Sequence, residues 1–161
     1  MKGQAAVEYL MTYGWAILAL LIVVGVLFSS GILSPNYLVS EECSFGTNVK
    51  CDFSLFNTGG TTKIALRVFN GFPYKIRVTD LALATQDGVQ PFTGFDSNVE
   101  IESGADHTFN GDLVGPSVPE GSAKRFGGNI TYVSCAPELG PACSTSTHVL
   151  TGRVTGKIQK S

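Results

Sequence analysis

The feature that most constrains this chain is a long stretch without charge near its N-terminus. No charged side chain occurs between Glu8 and Glu41, and the residues from Trp15 to Leu33 are almost wholly apolar. As a helix, this run of 19 residues would span about 28 Å, close to the thickness of bilayer hydrocarbon. The rest of the chain has the composition of an ordinary Gly-rich secreted domain. The sequence therefore has two parts suited to different solvents, with the boundary near Pro35.

The predicted helix is longer than its apolar core. A helical pattern continues upstream from Gln4 through Tyr13, interrupted only by Gly14, and Pro35 ends the helix because proline cannot continue it. Glu8 lies one or two turns before the apolar core. The residues alone leave three interpretations open: an uncleaved membrane anchor, a secretory signal discarded after the small residues 29–31, and a helix retained after cleavage upstream.

The N-terminal residues resemble a known processing signal. The run Lys2-Gly3-Gln4-Ala5-Ala6-Val7-Glu8-Tyr9-Leu10, followed at once by an apolar helix, resembles the class III signal peptide of archaeal type IV pilins. The resemblance continues through residues 11–17. In that family a prepilin peptidase cuts before the apolar stretch, which stays in the mature protein. The resemblance implies cleavage between Gly3 and Gln4. We hypothesise that Glu8, four residues after the new N-terminus, guides processing or subunit register.

The same resemblance implies a domain order and a function. It divides the chain into a leader of residues 1–3, a helix of residues 4–34 and a head of residues 35–161. The precursor would sit in the cytoplasmic membrane, and its helix would then join a bundle of like helices at the centre of an extracellular filament that serves surface adhesion or cell–cell contact. The implied partners are other copies of the chain and, during biogenesis, a prepilin peptidase, an assembly ATPase and a membrane platform protein.

Small residues along the helix would let neighbouring helices approach closely. They are Ala5, Ala6, Ala16, Ala19, Gly25 and Gly31. An ordinary membrane helix carries such residues too, so they support assembly only together with the resemblance.

The head is predicted to be an all-β antiparallel sandwich, which makes the whole a lollipop-shaped α+β chain. Apolar residues tend to alternate from about Val39 onward, as in half-buried strands. The candidate strands are residues 52–57, 63–69, 74–79, 97–102, 129–134 and 148–154. Turn formers separate them at Gly59-Gly60, Asn70-Gly71, Asp87-Gly88, Asn110-Gly111, residues 116–121 and Gly127-Gly128. Nine of the ten phenylalanines lie in the head, where they are expected to form the core; a few could instead form a ligand-binding face.

Four cysteines occur as two pairs of equal spacing, Cys43/Cys51 and Cys135/Cys143. We favour the two local disulfides because each closes a short loop rich in turn formers, and because disulfides suit an extracellular head. Free thiols and a zinc site are the alternatives. The sequence has no Cys-x-x-Cys, and its only histidines are His107 and His148, so no metal is expected.

The sequence also contains one N-glycosylation sequon and a polar C-terminal tail. The sequon is Asn129-Ile130-Thr131, and the preceding glycines would place Asn129 at an exposed strand start. Residues 157–161 are polar and basic, which predicts a solvated end.

The functions that the sequence does not favour are equally informative. The net charge of −2 gives no electrostatic case for nucleic acid. There is no nucleophile elbow, phosphate loop or dinucleotide fingerprint, so neither an enzyme nor a cofactor is expected. Glu100 and Glu102 share a strand face, and residues 106–108 place Asp, His and Thr in sequence, but neither group constitutes a catalytic site.

The alternative function is a minor pilin or a membrane-anchored extracellular module that binds a sugar or solute. An archaellin ranks lower, because the motif from Gln4 to Leu10 resembles adhesion-type pilins more closely.

Overall fold

The structure is a computed structural model that describes residues 3–30, 40–139 and 142–160. The chain separates into two compact units, Met1–Leu38 and Val39–Ser161. The described part of the first unit is one helix, and the second unit contains two antiparallel sheets. The predicted fold class, an N-terminal apolar helix followed by an antiparallel β head, is therefore confirmed.

Helix α1 spans Gly3–Ser29. Alanine, leucine and methionine, which favour helix, supply ten of its 27 residues, and Gly14 does not interrupt it. At its end the Ser30 amide donates to the Val26 carbonyl, at 2.8 Å, and the Ser30 hydroxyl donates to the Leu27 carbonyl, at 2.9 Å. These bonds satisfy carbonyls of the last turn, which have no partner farther along the helix. Pro35, the predicted helix stop, lies outside the described residues.

The described residues of the head form nine strands in two sheets. They are β1 (Glu42–Ser44), β2 (Val49–Thr58), β3 (Thr61–Asn70), β4 (Lys75–Thr85), β5 (Phe92–Thr93), β6 (Val99–Ile101), β7 (Asp106–Leu113), β8 (Ala123–Cys135) and β9 (Thr147–Lys157). A five-stranded sheet has the order β1-β9-β8-β4-β6, and a four-stranded sheet has the order β2-β3-β7-β5. Neighbouring strands within both sheets pair antiparallel.

The β2–β3 hairpin shows how the sequence determines register. Gly59 and Gly60 form its two-residue turn with φ angles of +62° and +81°, values that glycine adopts at little cost. Alternate residues of β3 then point inward: Thr62, Ile64, Leu66, Val68 and Asn70 are buried, whereas the intervening residues are less so. The turn and the alternation agree, so a shift by one residue would expose this whole set.

One apolar core lies between the sheets. It combines residues of the four-stranded sheet, such as Leu66 and Phe109, with residues of the five-stranded sheet, such as Phe126 and Ile130. Four head phenylalanines are buried in this core and three more pack against it: Phe45, Phe92, Phe109 and Phe126, then Phe53, Phe72 and Phe95. Phe56 and Phe69 are half-buried at positions that alternate with the core positions of their strands. The predicted phenylalanine core is thus present, apart from these two.

Two predicted turns are wrong. Asn110-Gly111 lies inside β7 and Gly127-Gly128 lies inside β8. Gly111 and Gly128 serve close packing rather than chain reversal, because a Cβ on Gly111 would lie 2.5 Å from the Phe95 ring, and a Cβ on Gly128 would lie 2.3 Å from the Ala82 carbonyl oxygen.

The C-terminal tail is predicted to be solvated; this holds for the exposed Gln159 and Lys160 and is wrong for Ile158. Ile158 is only 2% exposed and belongs to the core. The backbone amide of Gln159 donates to the Leu55 carbonyl, at 2.8 Å. Gln159 also forms a parallel β-bridge with Phe56 of the edge strand β2. The tail therefore covers part of the longest edge strand among the described residues, which limits pairing of that edge with other chains.

Candidate functional site

Helix α1 exposes apolar side chains on every side. The four consecutive residues Leu20–Val23 are each 58–63% exposed, and successive helix positions are about 100° apart, so these four cover the whole circumference. A helix that packs against one neighbouring surface would instead carry an apolar stripe and a polar face. The segment Val7–Ser29 is long and apolar enough to cross a membrane. Its exposed apolar surface is suited to an apolar environment around the helix.

The predicted processing residues lie at the start of this helix. Gly3 and Gln4 are the first residues of α1, and Glu8 is exposed in its second turn. The Thr12 hydroxyl donates to the Glu8 carbonyl, at 2.8 Å, so this polar side chain is satisfied within the helix. Placing an ionised Glu8 at the centre of a bilayer would cost about 2.5–3.5 kcal/mol, which favours a position at the level of the head groups.

The small residues predicted for helix packing follow the length of α1. Ala16, Ala19 and Gly25 are exposed on it. Ala5 and Ala6 also belong to α1, although their side chains fall outside the described part, and Gly31 lies beyond the described residues altogether.

The sequence interpretation missed a notch in the helix at Gly14. An open hollow of about 280 Å³ is lined by Met11, Gly14, Trp15 and Leu18. These positions have the spacing i, i+3, i+4 and i+7, which is the set of four residues that receives one side chain of a neighbouring helix. In the sequence Gly14 is notable only as a weak helix breaker, whereas in the structure its missing side chain leaves space among Met11, Trp15 and Leu18.

Both disulfides have the local connectivity that we favoured. Cys43 bonds Cys51 with a Cα–Cα distance of 5.7 Å, and Cys135 bonds Cys143 with a Cα–Cα distance of 4.1 Å. Cys43 lies on β1 of the five-stranded sheet and Cys51 on β2 of the four-stranded sheet, so the first disulfide joins the two sheets. The second closes a loop after β8. These bonds indicate an oxidising compartment for the head.

The acidic residues singled out in the sequence form ion pairs. Arg67 contacts both oxygens of Asp106, at 2.8 and 2.9 Å, and its guanidinium lowers the pKa of that carboxyl. Arg77 and Lys75 contact Glu100, at 2.6 and 2.9 Å, and lower the pKa of Glu100 in the same way. Both carboxyls are therefore held ionised at the surface, where such pairs contribute little to stability.

The structure does not assemble residues 106–108 into a reactive group. Asp106 and Thr108 point to the exposed face of β7, whereas His107 points to the other face. The His107 ring lies 4.8 Å from the ring of Phe109, and its Nε2 lies 3.8 Å from a carboxylate oxygen of Asp96. The histidine is thus separated from the carboxylate next to it in sequence.

The four-stranded sheet carries a shallow hollow of about 350 Å³ on the side that holds Phe69. Its other lining residues are Lys50, Cys51, Asp52, Arg67 and Asp106. An aromatic ring among charged groups is a surface on which a small polar ligand could rest.

Asn129 lies in the middle of β8, the central strand of the five-stranded sheet. It pairs with Ala82 of β4 on one side and Thr151 of β9 on the other, and its side chain is exposed. The sequon asparagine is therefore accessible, although it does not begin a strand as we had expected.

No protein-family model and no curated protein matches this sequence. The function is therefore inferred from the helix, the disulfides and the surface of the head.

Proposed function

We propose that the protein is the structural subunit of an archaeal type IV pilus-like filament. In this proposal a prepilin peptidase cleaves the membrane-held precursor between Gly3 and Gln4. An assembly ATPase and a membrane platform protein then move the helix into a bundle of identical helices, and the heads form the outer surface of the filament. The filament serves adhesion to surfaces or contact between cells.

The observation that carries the proposal is the helix that is apolar on all sides. Such a segment is stable in a bilayer and also in a bundle of like helices, where side-chain packing replaces the lipid. The disulfide-bonded head supports an extracellular location, and the N-terminal resemblance to class III signal peptides supports cleavage that retains the helix. A membrane anchor alone explains the apolar surface but requires no particular processing residues.

Glycosylation belongs to the same proposal. The exposed position of the sequon asparagine supports an N-linked glycan at Asn129 of an extracellular head. The mature subunit would then be a glycoprotein.

A substitution at Gly25 separates filament assembly from simple anchoring. A Cβ at Gly25 would meet nothing within 4 Å, so Gly25→Leu adds an apolar side chain without a clash in the single helix. We expect the variant to reach the membrane normally but to yield far fewer filaments in the sheared surface fraction, because neighbouring helices can no longer approach closely. The measurement is the ratio of sheared to membrane-held protein, with filaments counted by electron microscopy.

The matched control is Val23→Leu, which enlarges an exposed apolar residue that is not small to begin with. It should assemble like the wild type. If wild-type cells produced no filaments containing this chain, or if Gly25→Leu assembled as well as Val23→Leu, helix packing would not be the basis of its function.

A second candidate, an extracellular binding module, is favoured only by the hollow beside Phe69. It predicts that Phe69→Ala weakens binding of a saccharide or solute by the head, whereas Phe56→Ala, at a similar strand position outside this hollow, does not. Glycan-array binding of the purified full chain in detergent would detect it, and the lack of any ligand with Phe69-dependent binding would remove this candidate.

A further inference from the structure

We infer that the five-stranded sheet has a seat for the first sugar of the glycan on Asn129. The inference rests on the proposed function, because it requires the head to pass through a compartment where N-glycans are attached. It goes further in naming the surface on which the sugar lies. The glycan would then be part of the folded head rather than a freely mobile appendage.

The seat is an open hollow beside the sequon asparagine. Its volume is about 290 Å³, at the lower end of the range for small-molecule sites, and suits one sugar ring rather than a larger ligand. It is lined by Ala82, Leu83, Ala84, Pro91, Phe92, Gly127, Gly128 and Asn129. Asn129 is thus itself part of the wall, so a sugar joined to its side chain would begin at the hollow.

The hollow exists because several strand positions carry little or no side chain. Ala84 of β4 pairs with Gly127 of β8, and Ala82 pairs with Asn129, so these four residues share one face of the sheet. On the far side Ala84 bridges Pro91. A Cβ at Gly127 would meet nothing within 4 Å, which shows that open space lies above this position. Gly128, in contrast to Gly127, faces the other side of the sheet, where a Cβ would clash with Ala82 and Leu83.

The lining chemistry favours a neutral sugar. None of the residues that line the hollow is titratable, and Arg153, which pairs with Gly127 on the same face, contacts Glu42 at 3.2 Å. Alanine and proline side chains give an apolar floor on which the C–H face of a pyranose ring can pack. The charged hollow beside Phe69 lacks this character.

The attachment reaction is a group transfer from a polyprenyl phosphate-linked glycan. The Asn129 Nδ2 forms a bond to the anomeric carbon as the bond from that carbon to the phosphate oxygen breaks. The nitrogen loses a proton, and the lipid phosphate is the leaving group. Because the backbone of Asn129 is paired on both sides in the folded sheet, we place the transfer before β8 pairs with β4 and β9.

A double-mutant cycle tests the seat. The full chain is produced in an archaeal host that attaches N-glycans, and the mass of the tryptic peptide 126–153, which contains Asn129, gives the occupancy. Asn129→Gln removes the glycan, and Gly127→Val fills the hollow while leaving the sequon intact. Thr151→Val is the control for a valine on this face, since residue 151 pairs with Asn129 but does not line the hollow.

Thermal unfolding is followed by near-ultraviolet circular dichroism of the full chain in detergent. We expect Asn129→Gln to lower the Tm by about 3 °C in the wild-type and Thr151→Val backgrounds, but by less than about 1 °C in the Gly127→Val background. The same substitution in protein from a host without N-glycosylation should leave the Tm unchanged in all three backgrounds, because no sugar is present.

Three results would overturn the inference. An unmodified peptide 126–153 from assembled filaments would exclude the glycan while leaving the filament proposal standing. A modified peptide with equal Tm losses in the Gly127→Val and Thr151→Val backgrounds would exclude the seat. An equal Tm loss in unglycosylated protein would attribute the effect to the asparagine side chain. Modified protein with the expected Tm pattern but no filaments would support the seat and contradict only the filament proposal.

Discussion

Replacing Cys43 and Cys51 with alanine removes the crosslink between the two sheets of the head, and replacing Cys135 and Cys143 removes one of equal length elsewhere. Both disulfides join residues eight positions apart. The chain-entropy model assigns about 2.5 kcal/mol to a loop of this size, so it predicts the same loss of unfolding free energy for both pairs. Packing distinguishes them, because only Cys43 and Cys51 pack against the apolar core.

Removing the disulfide that joins the two sheets should therefore lower the unfolding free energy more than removing the other disulfide. We add about 1 kcal/mol for the core contacts that its sulfurs lose, which gives a total of about 3.5 kcal/mol against about 2.5 kcal/mol for the other pair. With about 4 °C of Tm per kcal/mol for a domain of this length, the expected decreases are about 14 °C and 10 °C.

The assay must report on the head alone. The single tryptophan, Trp15, lies in α1, so its fluorescence reports on the helix. Near-ultraviolet circular dichroism contains signals from Tyr74 and Tyr132 of the head and from Tyr9, Tyr13 and Trp15 of α1, so the part of the transition that the disulfide variants shift is assigned to the sheets. If the Cys135/Cys143 variant lost as much stability as the Cys43/Cys51 variant, the packing argument would be wrong. Losses below about 1 kcal/mol for both would refute the loop-entropy reasoning.

Three further predictions concern single features of the head. Gly128→Ala should lower the unfolding free energy by about 1–3 kcal/mol, because its Cβ would clash with backbone, whereas the neighbouring Gly127→Ala should be neutral or slightly stabilising; denaturant titration of the two variants compares them directly, and equal losses would contradict the structure. Asn70→Ala should lower the unfolding free energy by about 2–3 kcal/mol in the same titration. The buried Asn70 side chain donates hydrogen bonds to the carbonyls of Tyr74 and Ile101 and accepts one from the Phe72 backbone amide. A loss below about 0.5 kcal/mol would show that water replaces the side chain. The basic partners of Glu100 and Asp106 lower the pKa values of these carboxyls. The stability that the ion pairs provide is therefore present above the ordinary pKa values of 4.5 and 3.8, and it decreases as the pH falls through the lowered pKa values. The Tm should decline only modestly over this acidic range, and a Tm that rises on acidification would contradict the prediction.

The sequence was sufficient for the general form of the fold. The alternation in residues 74–79 identified the start of β4, and the two glycines at residues 59–60 identified the β2–β3 turn. The apolar run identified α1, because the helical and apolar nature of this segment depends on its local composition alone.

The errors arose where packing between strands decides the outcome. The whole of β7 was missed as a strand, since its polar residues and the Asn110-Gly111 pair have the composition of a turn. Position 111 requires glycine because the ring of Phe95, which is distant in sequence, lies against it in the folded head. The hollow beside Asn129 depends in the same way on the pairing of β8 with β4. The pairing of β8 with β4 cannot be deduced from the local sequence of either strand.

The processed N-terminus tests the filament proposal most directly. Protein from sheared surface filaments is digested with a protease that cleaves after glutamate, so that Glu8 ends a short peptide whose mass gives the first residue. We predict a peptide that starts at Gln4, or its cyclised form, in the sheared fraction. An intact Met1 found only in the membrane fraction would mean an anchored domain, and a start near Ile32 would mean a secreted module. Either result would contradict a filament built on the retained helix.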